Sequence, residues 1–214
     1  MEPVNVAIIY YSATGTVHTL AGAAAEAAGK AGARVRVRKV AELAPPEAIE
    51  AVPAWGRHLQ DTADVVEPCL DDLAWAEVVL FGTPTRFGNP AHQLRAFLDT
   101  AGPLWQKGAL ADKVYSAFTA SGTAHGGQES TLLALGITFH HWGGIIVPPG
   151  YTDPVQFQAG NPYGTSHVTG DGPPGEVTLA AVHHQARRAV DTAAALKAGH
   201  AAVESLAAAP TMAR

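Results

Sequence analysis

Apolar and polar positions alternate between two periods along the chain. Val4-Asn5-Val6-Ala7-Ile8-Ile9-Tyr10-Tyr11 is a nearly continuous apolar run, the pattern of a strand buried on both faces of a parallel sheet. From Thr16 the spacing lengthens: Val17, Leu20, Ala21, Ala24 and Ala28 share one helical face, and Gly29 and Gly32 mark its end. Ala33 to Val40 predicts a second strand, followed by a proline-rich turn and a short helix near Glu47–Val52. Glu77 to Thr83 predicts a third strand that breaks at Pro84. Asn89-Pro90 has the form of a helix start, a cap residue followed by proline at the first helical position, with Leu94, Phe97, Leu98 and Ala101 as the buried face. Lys113–Ala120 predicts a fourth strand, Gln128 to about His140 a helix and Gly143–Pro148 a fifth strand. The last helix is expected from Glu176 to about Ala198, with Leu179, Val182, Ala186, Val190 and Ala193 inward.

Five strands alternating with helices predict an α/β fold, a doubly wound five-stranded parallel sheet with helices on both faces. Residues 1–198 are expected to form one domain and 199–214 a poorly ordered Ala-rich tail. Two stretches exceed the minimal unit, Pro53–Trp75 and the glycine- and proline-rich Pro149–Gly175. Loops of that length are usually functional or form an interface.

Composition narrows the partners. Hydrophobic residues make up 47% of 214 positions, enough for a large core without disulfides. The single Cys69 has no partner to bridge, which suits a reducing cytoplasm. The Met-Glu-Pro start lacks a basic leader region and the first apolar run is too short to span a bilayer, so neither export nor membrane insertion is expected. Net charge is −5, and the basic run Arg34-Val-Arg36-Val-Arg38-Lys39 alternates like the outer face of a strand. Small-molecule partners are therefore expected, and nucleic acid is not. His140-His141 and His183-His184 are adjacent pairs that diverge on any regular element, with no carboxylate or Cys to complete a metal site. Gly170-Asp-Gly172-Pro-Pro-Gly175 matches a dinucleotide fingerprint only literally, because no strand precedes it. The nucleophile elbow of a Ser hydrolase is absent from the sequence.

In open α/β sheets ligands bind beyond the carboxyl ends of the strands, and three such ends carry unusual chemistry. After the first strand, Ser12, Ala13, Thr14, Gly15, Thr16 and Val17 offer three hydroxyls around a glycine at a helix N-terminus. Free N–H groups and the macrodipole there suit a phosphate, with simple helix capping as the plainer reading. After the third strand, Pro84, Thr85, Arg86, Phe87 and Gly88 form a stiff loop whose aromatic residue can wall a flat conjugated ring. After the fourth, Ala120, Ser121, Gly122, Thr123, Ala124, His125 and Gly126 form a glycine-rich loop that lets backbone groups reach a ring edge, or that is simply a flexible surface loop.

Tyr11-Ser12-x-x-Gly15, the string Gly82-Thr83-Pro84-Thr85-Arg86-Phe87-Gly88-Asn89 and Gly126-Gly127-Gln128-Glu129 together resemble the WrbA-type NAD(P)H:quinone oxidoreductases. Leu104-Trp105, His141, Pro149-Gly150-Tyr151 and Asn161-Pro162-Tyr163-Gly164 extend the likeness over residues 4 to about 197. The resemblance implies a flavodoxin-like fold that binds FMN, with its phosphate on Ser12–Val17 and its ring along Pro84–Gly88. It also implies that Ala120–Gly126 wraps the pyrimidine edge, that His141 lies beside the flavin, and that Trp105 packs against quinone or nicotinamide. It implies two-electron, ping-pong transfer from NADH or NADPH to a quinone, and a homotetramer or homodimer. Two departures stand out: Thr14, on the substrate side, replaces a frequent tyrosine, and His141-Trp142-Gly143 replaces His-His-Gly. A flavodoxin-type electron carrier and a non-catalytic FMN-binding regulatory protein are the alternatives. An aspartate-phosphorylated signalling domain lacks its acids, since Ser12-Ala13 and Thr83-Pro84 occupy their places.

Overall fold

The computed structural model describes residues 2–208. The first strand β1 (Asn5–Tyr10) leads into helix α1 (Thr16–Lys30) and strand β2 (Arg34–Lys39), followed by short helices α2 (Pro46–Glu50), α3 (Pro53–Asp61) and α4 (Leu70–Trp75). Strand β3 (Val78–Arg86), a two-residue strand β4 (Asn89–Pro90), helices α5 (His92–Asp99) and α6 (Gly102–Gln106), strand β5 (Val114–Ser121) and helix α7 (Gln128–His141) come next. Strand β6 (Ile145–Ile146), helix α8 (Gln156–Ala159), strand β7 (Ser166–Val168) and the long helix α9 (Glu176–Ala208) complete the described chain.

The sheet order is β2-β1-β3-β5-β6, with β7 pairing β5 and β4 pairing β3. Every pairing is parallel except β3 with β4. The chain moves outward from β1 to β2 and then returns to β3 on the other side. The carboxyl ends of β1 and β3 therefore flank the switch point at which such sheets bind ligands.

Strand alternation builds a core on each face. Val6, Ile8 and Tyr10 of β1 join Val78 and Leu80 of β3 against Val17, Leu20 and Ala24 of α1 and Val182, Ala186 and Val190 of α9. Ala7, Ile9 and Tyr11 join Val79 and Phe81 on the other face, under Leu94, Leu132, Leu135 and Phe139. Trp142 belongs to this second core: it is 8% exposed and meets Phe81 and Tyr115 edge-on at 6.2 and 5.6 Å. At that position the sequence's departure from His-His-Gly is a packing residue. No described helix is long and apolar enough to cross a membrane.

Four element boundaries differ from expectation. Strand β3 does not break at Pro84 but continues to Arg86, with Pro84 in register with Ala120. Pairing with β1 stops at Gly82, so beyond it β3 has a free edge where a missing N–H is tolerated. Asn89-Pro90 starts no helix. Phe87 (φ 51°) and Gly88 (φ 75°) form a tight two-residue turn that folds Asn89-Pro90 back onto Thr85-Arg86. Helix α5 starts only at His92, after the Ala91 N–H donates to Thr83 Oγ1 at 2.9 Å. The fifth strand shrinks to Ile145–Ile146 and pairs with Val114–Tyr115, while β7 takes the other half of that position beside Thr119–Ser121. The excess segment Pro149–Gly175 thus supplies a strand. The last helix passes Ala198 and runs to Ala208; the remainder of the expected tail, 209–214, lies outside the described residues.

Candidate functional site

A cleft of about 350 Å³ opens at the switch point, within the ~300–1,000 Å³ usual for small-molecule sites. Its lining comes from the three predicted strand ends: Ser12, Ala13, Thr14, Thr16 and Val17; Pro84, Thr85 and Arg86; Ala120, Ser121 and Gly122.

The first loop is shaped by Gly15. Its φ of 104° lies in the left-handed region, and an added Cβ would stand 3.6 Å from His58 Nδ1. The Gly15 N–H donates to Ser12 Oγ at 3.1 Å, which folds the loop under the start of α1. That helix has no side-chain cap and no acidic residue in its first turn. Its first N–H groups have no intrahelical partner and meet the cleft with the positive end of the dipole.

A ladder of hydroxyls fixes the floor. Thr131 donates to Thr85 (3.1 Å), the Thr85 and Thr119 hydroxyls lie 3.2 Å apart, and Thr119 donates to the Thr83 carbonyl at 2.7 Å. All four threonines are buried, so the ends of β3 and β5 are held in register. Ser121 accepts from Gln128 Nε2 (2.8 Å) and donates to the Thr123 carbonyl (2.7 Å), which ties the following loop down.

Behind the first loop, Tyr10, His18 and His58 form a cluster near the buried Lys39. His18 Nδ1 is 2.5 Å from Tyr10 Oη, and the His18 and His58 rings meet edge-on at 5.4 Å. His58 Nε2 is buried without a partner. Burial, reinforced by the His18 and Lys39 charges, pushes the His58 imidazole down to about 4. Burial and Lys39 likewise lower His18, and burial raises Tyr10 to about 12.

Not all expected site residues meet in this cleft. Phe87 sits at the hairpin tip, fully exposed, and does not line it; nor does Gly88. Thr123, Ala124 and His125 form the exposed crest of their loop, with Gly126 behind them. Trp105 and His141 line a second depression of about 540 Å³ with Asn89, Pro90, Leu98 and Ile137, which shares no residue with the first. There the Trp105 indole N–H donates to the His141 carbonyl at 3.0 Å.

Three lining residues lie outside the expected set: Val52, Trp55 and Thr169. Thr169, just after β7, donates to the Ser121 carbonyl at 3.1 Å. Trp55 and Thr169 come from the two long segments Pro53–Trp75 and Pro149–Gly175, and Val52 from the end of the short helix expected near Glu47–Val52; no motif in the sequence marks any of the three. Glu42 was not conspicuous at all. Its Oε2 accepts from Tyr11 Oη and Trp55 Nε1, and its Oε1 from Gln93 Nε2, each at 2.8 Å. The Leu43 and Ala44 N–H groups add two more bonds at 2.9 Å. Burial pushes the Glu42 carboxyl up, but the Ala44 N–H and the Gln93, Tyr11 and Trp55 donors outweigh it and hold the group below the usual carboxylate range.

The NADPH-dependent FMN reductase family matches residues 4–155. A Deinococcus radiodurans protein named NAD(P)H dehydrogenase (quinone) is 48% identical over 196 residues, spanning 91% of this chain and 98% of that protein. A Geotalea uraniireducens protein of the same name is 41% identical over 201 residues, spanning 90% and 98%. Among solved structures, a flavodoxin, WrbA-like protein from Agrobacterium tumefaciens superposes with a TM-score of 0.61 at 21% identity, over 90% of this chain and 98% of that one. An archaeal flavodoxin gives 0.59 at 14% identity, over 89% and 99%. The structural likeness carries the flavodoxin-like fold, and the sequence likeness carries the family: the chain belongs to the NADPH-dependent FMN reductases and, among them, to the WrbA-type NAD(P)H:quinone oxidoreductases.

Proposed function

We propose that the chain is an FMN-dependent oxidoreductase that passes two electrons from NADH or NADPH to quinones, with FMN in the switch-point cleft. The observation that carries the placement is the uncapped, acid-free N-terminus of α1 opening into that cleft. A dianionic phosphate there would meet unpaired N–H groups, the helix dipole and the hydroxyls of Ser12, Thr14 and Thr16 without needing a lysine. Relatives named NAD(P)H dehydrogenase (quinone), 40–48% identical, support the reaction.

Bound FMN would supply the redox chemistry, taking a hydride from the nicotinamide and delivering both electrons to a quinone in a ping-pong cycle. The chain's part is binding, orientation and exclusion of water. Pro84, Thr85 and Arg86 would lie along the ring, held by the threonine ladder beneath them. Ala120, Ser121 and Gly122 would bring backbone groups to the ring edge, where N–H donors favour developing negative charge. Thr14, exposed at the mouth, would face the substrate.

Trp105 is 56% exposed and Phe87 fully exposed on the far side of the hairpin, with Ile137 at 61% beside Trp105. An apolar surface of this kind fits association with further copies of the chain. We place Trp105, His141 and Phe87 in the reaction through such an assembly, a homotetramer or homodimer in which one copy's outer depression covers another copy's cleft. The unbridged Cys69 suits the cytoplasm as its compartment.

The test is the visible spectrum of the purified protein under anaerobic conditions. Flavin bands should bleach on adding NADH or NADPH and return on adding benzoquinone. Bound flavin that neither nicotinamide bleaches would sink the reductase reading and leave an electron carrier.

A further inference from the structure

The cleft assigned to flavin contains one aromatic side chain among its lining residues, and it is Trp55. The adjacent Thr14 is short and exposed, and Phe87 points into solvent at the hairpin tip. Any flat ring entering from the mouth would therefore meet the indole of Trp55 and, within a single chain, no other aromatic face of the lining.

Trp55 is set there by local structure. Pro53 occupies the first turn of α3 after the extended Val52, and the Trp55 N–H closes the turn onto the Val52 carbonyl at 2.8 Å. The two residues on the inner side of that turn, Val52 and Trp55, both line the cleft. The Trp55 side chain also packs on the second core, and its indole N–H donates to Glu42.

The Glu42 carboxylate connects four structural parts. It joins Trp55, the Tyr11 hydroxyl just before the phosphate-type loop, Gln93 of α5 beside the hairpin, and the backbone of its own turn. Tyr11 and Gln93 are 2% and 4% exposed, so these partners are rigid. An acceptor with five donors cannot rotate without leaving several of them unpaired, and hydrogen bonds to an ionised acceptor are the stronger kind. The indole thereby has a fixed position relative to the first loop and to the end of β3.

We infer that Trp55 is a ligand-contacting wall of the flavin cleft and that Glu42 is the residue that positions it. This rests on FMN occupying the switch-point cleft. Trp55 then contributes directly to flavin affinity and quenches the flavin's emission, because an oxidisable indole in contact with the excited ring takes up its excitation by electron transfer and back-transfer. Glu42 touches no ligand and acts through Trp55.

The chemistry of the clamp provides a selective test. In Glu42→Gln one end of the side chain becomes a donor. If its oxygen keeps the three N–H partners of Oε1, the new NH₂ faces Tyr11 and Trp55. The Tyr11 hydroxyl can turn and accept, whereas the indole N–H is a donor only. The substitution therefore breaks the Trp55 contact and keeps the shape of the site.

The experiment uses the full chain stripped of flavin and titrated with FMN, following both affinity and the emission of bound flavin. Trp55→Phe should raise bound-flavin emission severalfold, and Trp55→Ala should weaken FMN roughly tenfold, the scale of one lost aromatic stacking contact. Glu42→Gln should move both readouts part of the way in the same direction. Placed in the Trp55→Ala background, it should add little, because the group through which it acts is gone. If wild type binds FMN but emission and affinity stay unchanged in Trp55→Phe and Trp55→Ala, the wall is misassigned. If Glu42→Gln adds its full effect in the Trp55→Ala background, the positioning role is wrong. If wild type binds no FMN at all, the assignment of the cleft falls and Trp55 with it.

Discussion

The two depressions on either side of the β3–β4 hairpin differ in how they are built. The outer one is larger, about 540 against 350 Å³, yet it presents mainly exposed side chains: Trp105, Ile137 and the flanks of α5 and α7. The inner one is lined by backbone turns, buried hydroxyls and a helix N-terminus, each locked by bonds beneath it. Volume alone would favour the outer depression, whereas donor chemistry favours the inner one. The contrast teaches a division of labour: a preorganised polar cleft can hold a charged cofactor by itself. The outer depression instead mixes exposed Trp105 and Ile137 with the polar side chains of Asn89, Arg95, Asp99 and His141.

Three perturbations break or sharpen that contrast. The largest effect is expected from Gly15→Val, which puts a β-branched residue at φ 104° and a side chain against His58. The strain alone is about 1–3 kcal/mol, and the displaced N–H groups should reduce FMN affinity by more than roughly a hundredfold. The flavin-to-protein absorbance ratio after desalting measures it, and full retention would mean the phosphate lies elsewhere. Trp105→Ala is the counterpart in the outer depression. It should leave that ratio unchanged and lower kcat/KM for benzoquinone by about tenfold, equivalent to ~1.4 kcal/mol of transition-state binding. Loss of flavin in this variant would erase the distinction between the two depressions.

A third effect, on stability and not on ligand binding, concerns pH and the histidine pair behind the inner cleft. His58 is pushed down to about 4 in the folded protein from an ordinary 6.5. Between those values the unfolded chain binds the extra proton and the folded one does not. Stability is therefore full above pH 6.5 and is lost as pH falls toward 4, by at most about 1.4 kcal/mol per pH unit. Urea unfolding of the flavin-free protein at pH 7 and pH 5 should show the decline, and His58→Asn should flatten it. Asp61, whose charge favours the protonated ring, and Lys39 and His18, which oppose it, modulate the slope. An unchanged slope in His58→Asn would assign the decline to other groups.

The parallel sheet and the three loops at its strand ends were legible in the sequence because their signals are local. Buried strands are continuous apolar runs, α1 repeats at helical spacing, and glycine with hydroxyls marks a turn into a helix. The same local reasoning failed where two signals competed. Asn89-Pro90 satisfies the rule for a helix start, but the Phe87-Gly88 turn folds those residues onto β3 first. Pro84 satisfies the rule for a strand end, yet β1 has already stopped beside it.

What the sequence by itself determined is the order of the elements, the alternation that buries both faces of the sheet, and the loop Ser12–Val17 at a helix N-terminus. Tertiary structure alone decided which side chains share a cavity. It sent Phe87 to solvent, separated Trp105 and His141 from the phosphate-type loop, and brought Trp55 and Glu42 to it from a segment without a motif. The physical reason is range. Periodicity and turn chemistry act over a few residues, whereas Glu42 gathers Tyr11 and Gln93 from 31 and 51 positions away, a meeting that exists only once the second core is packed on its face of the sheet.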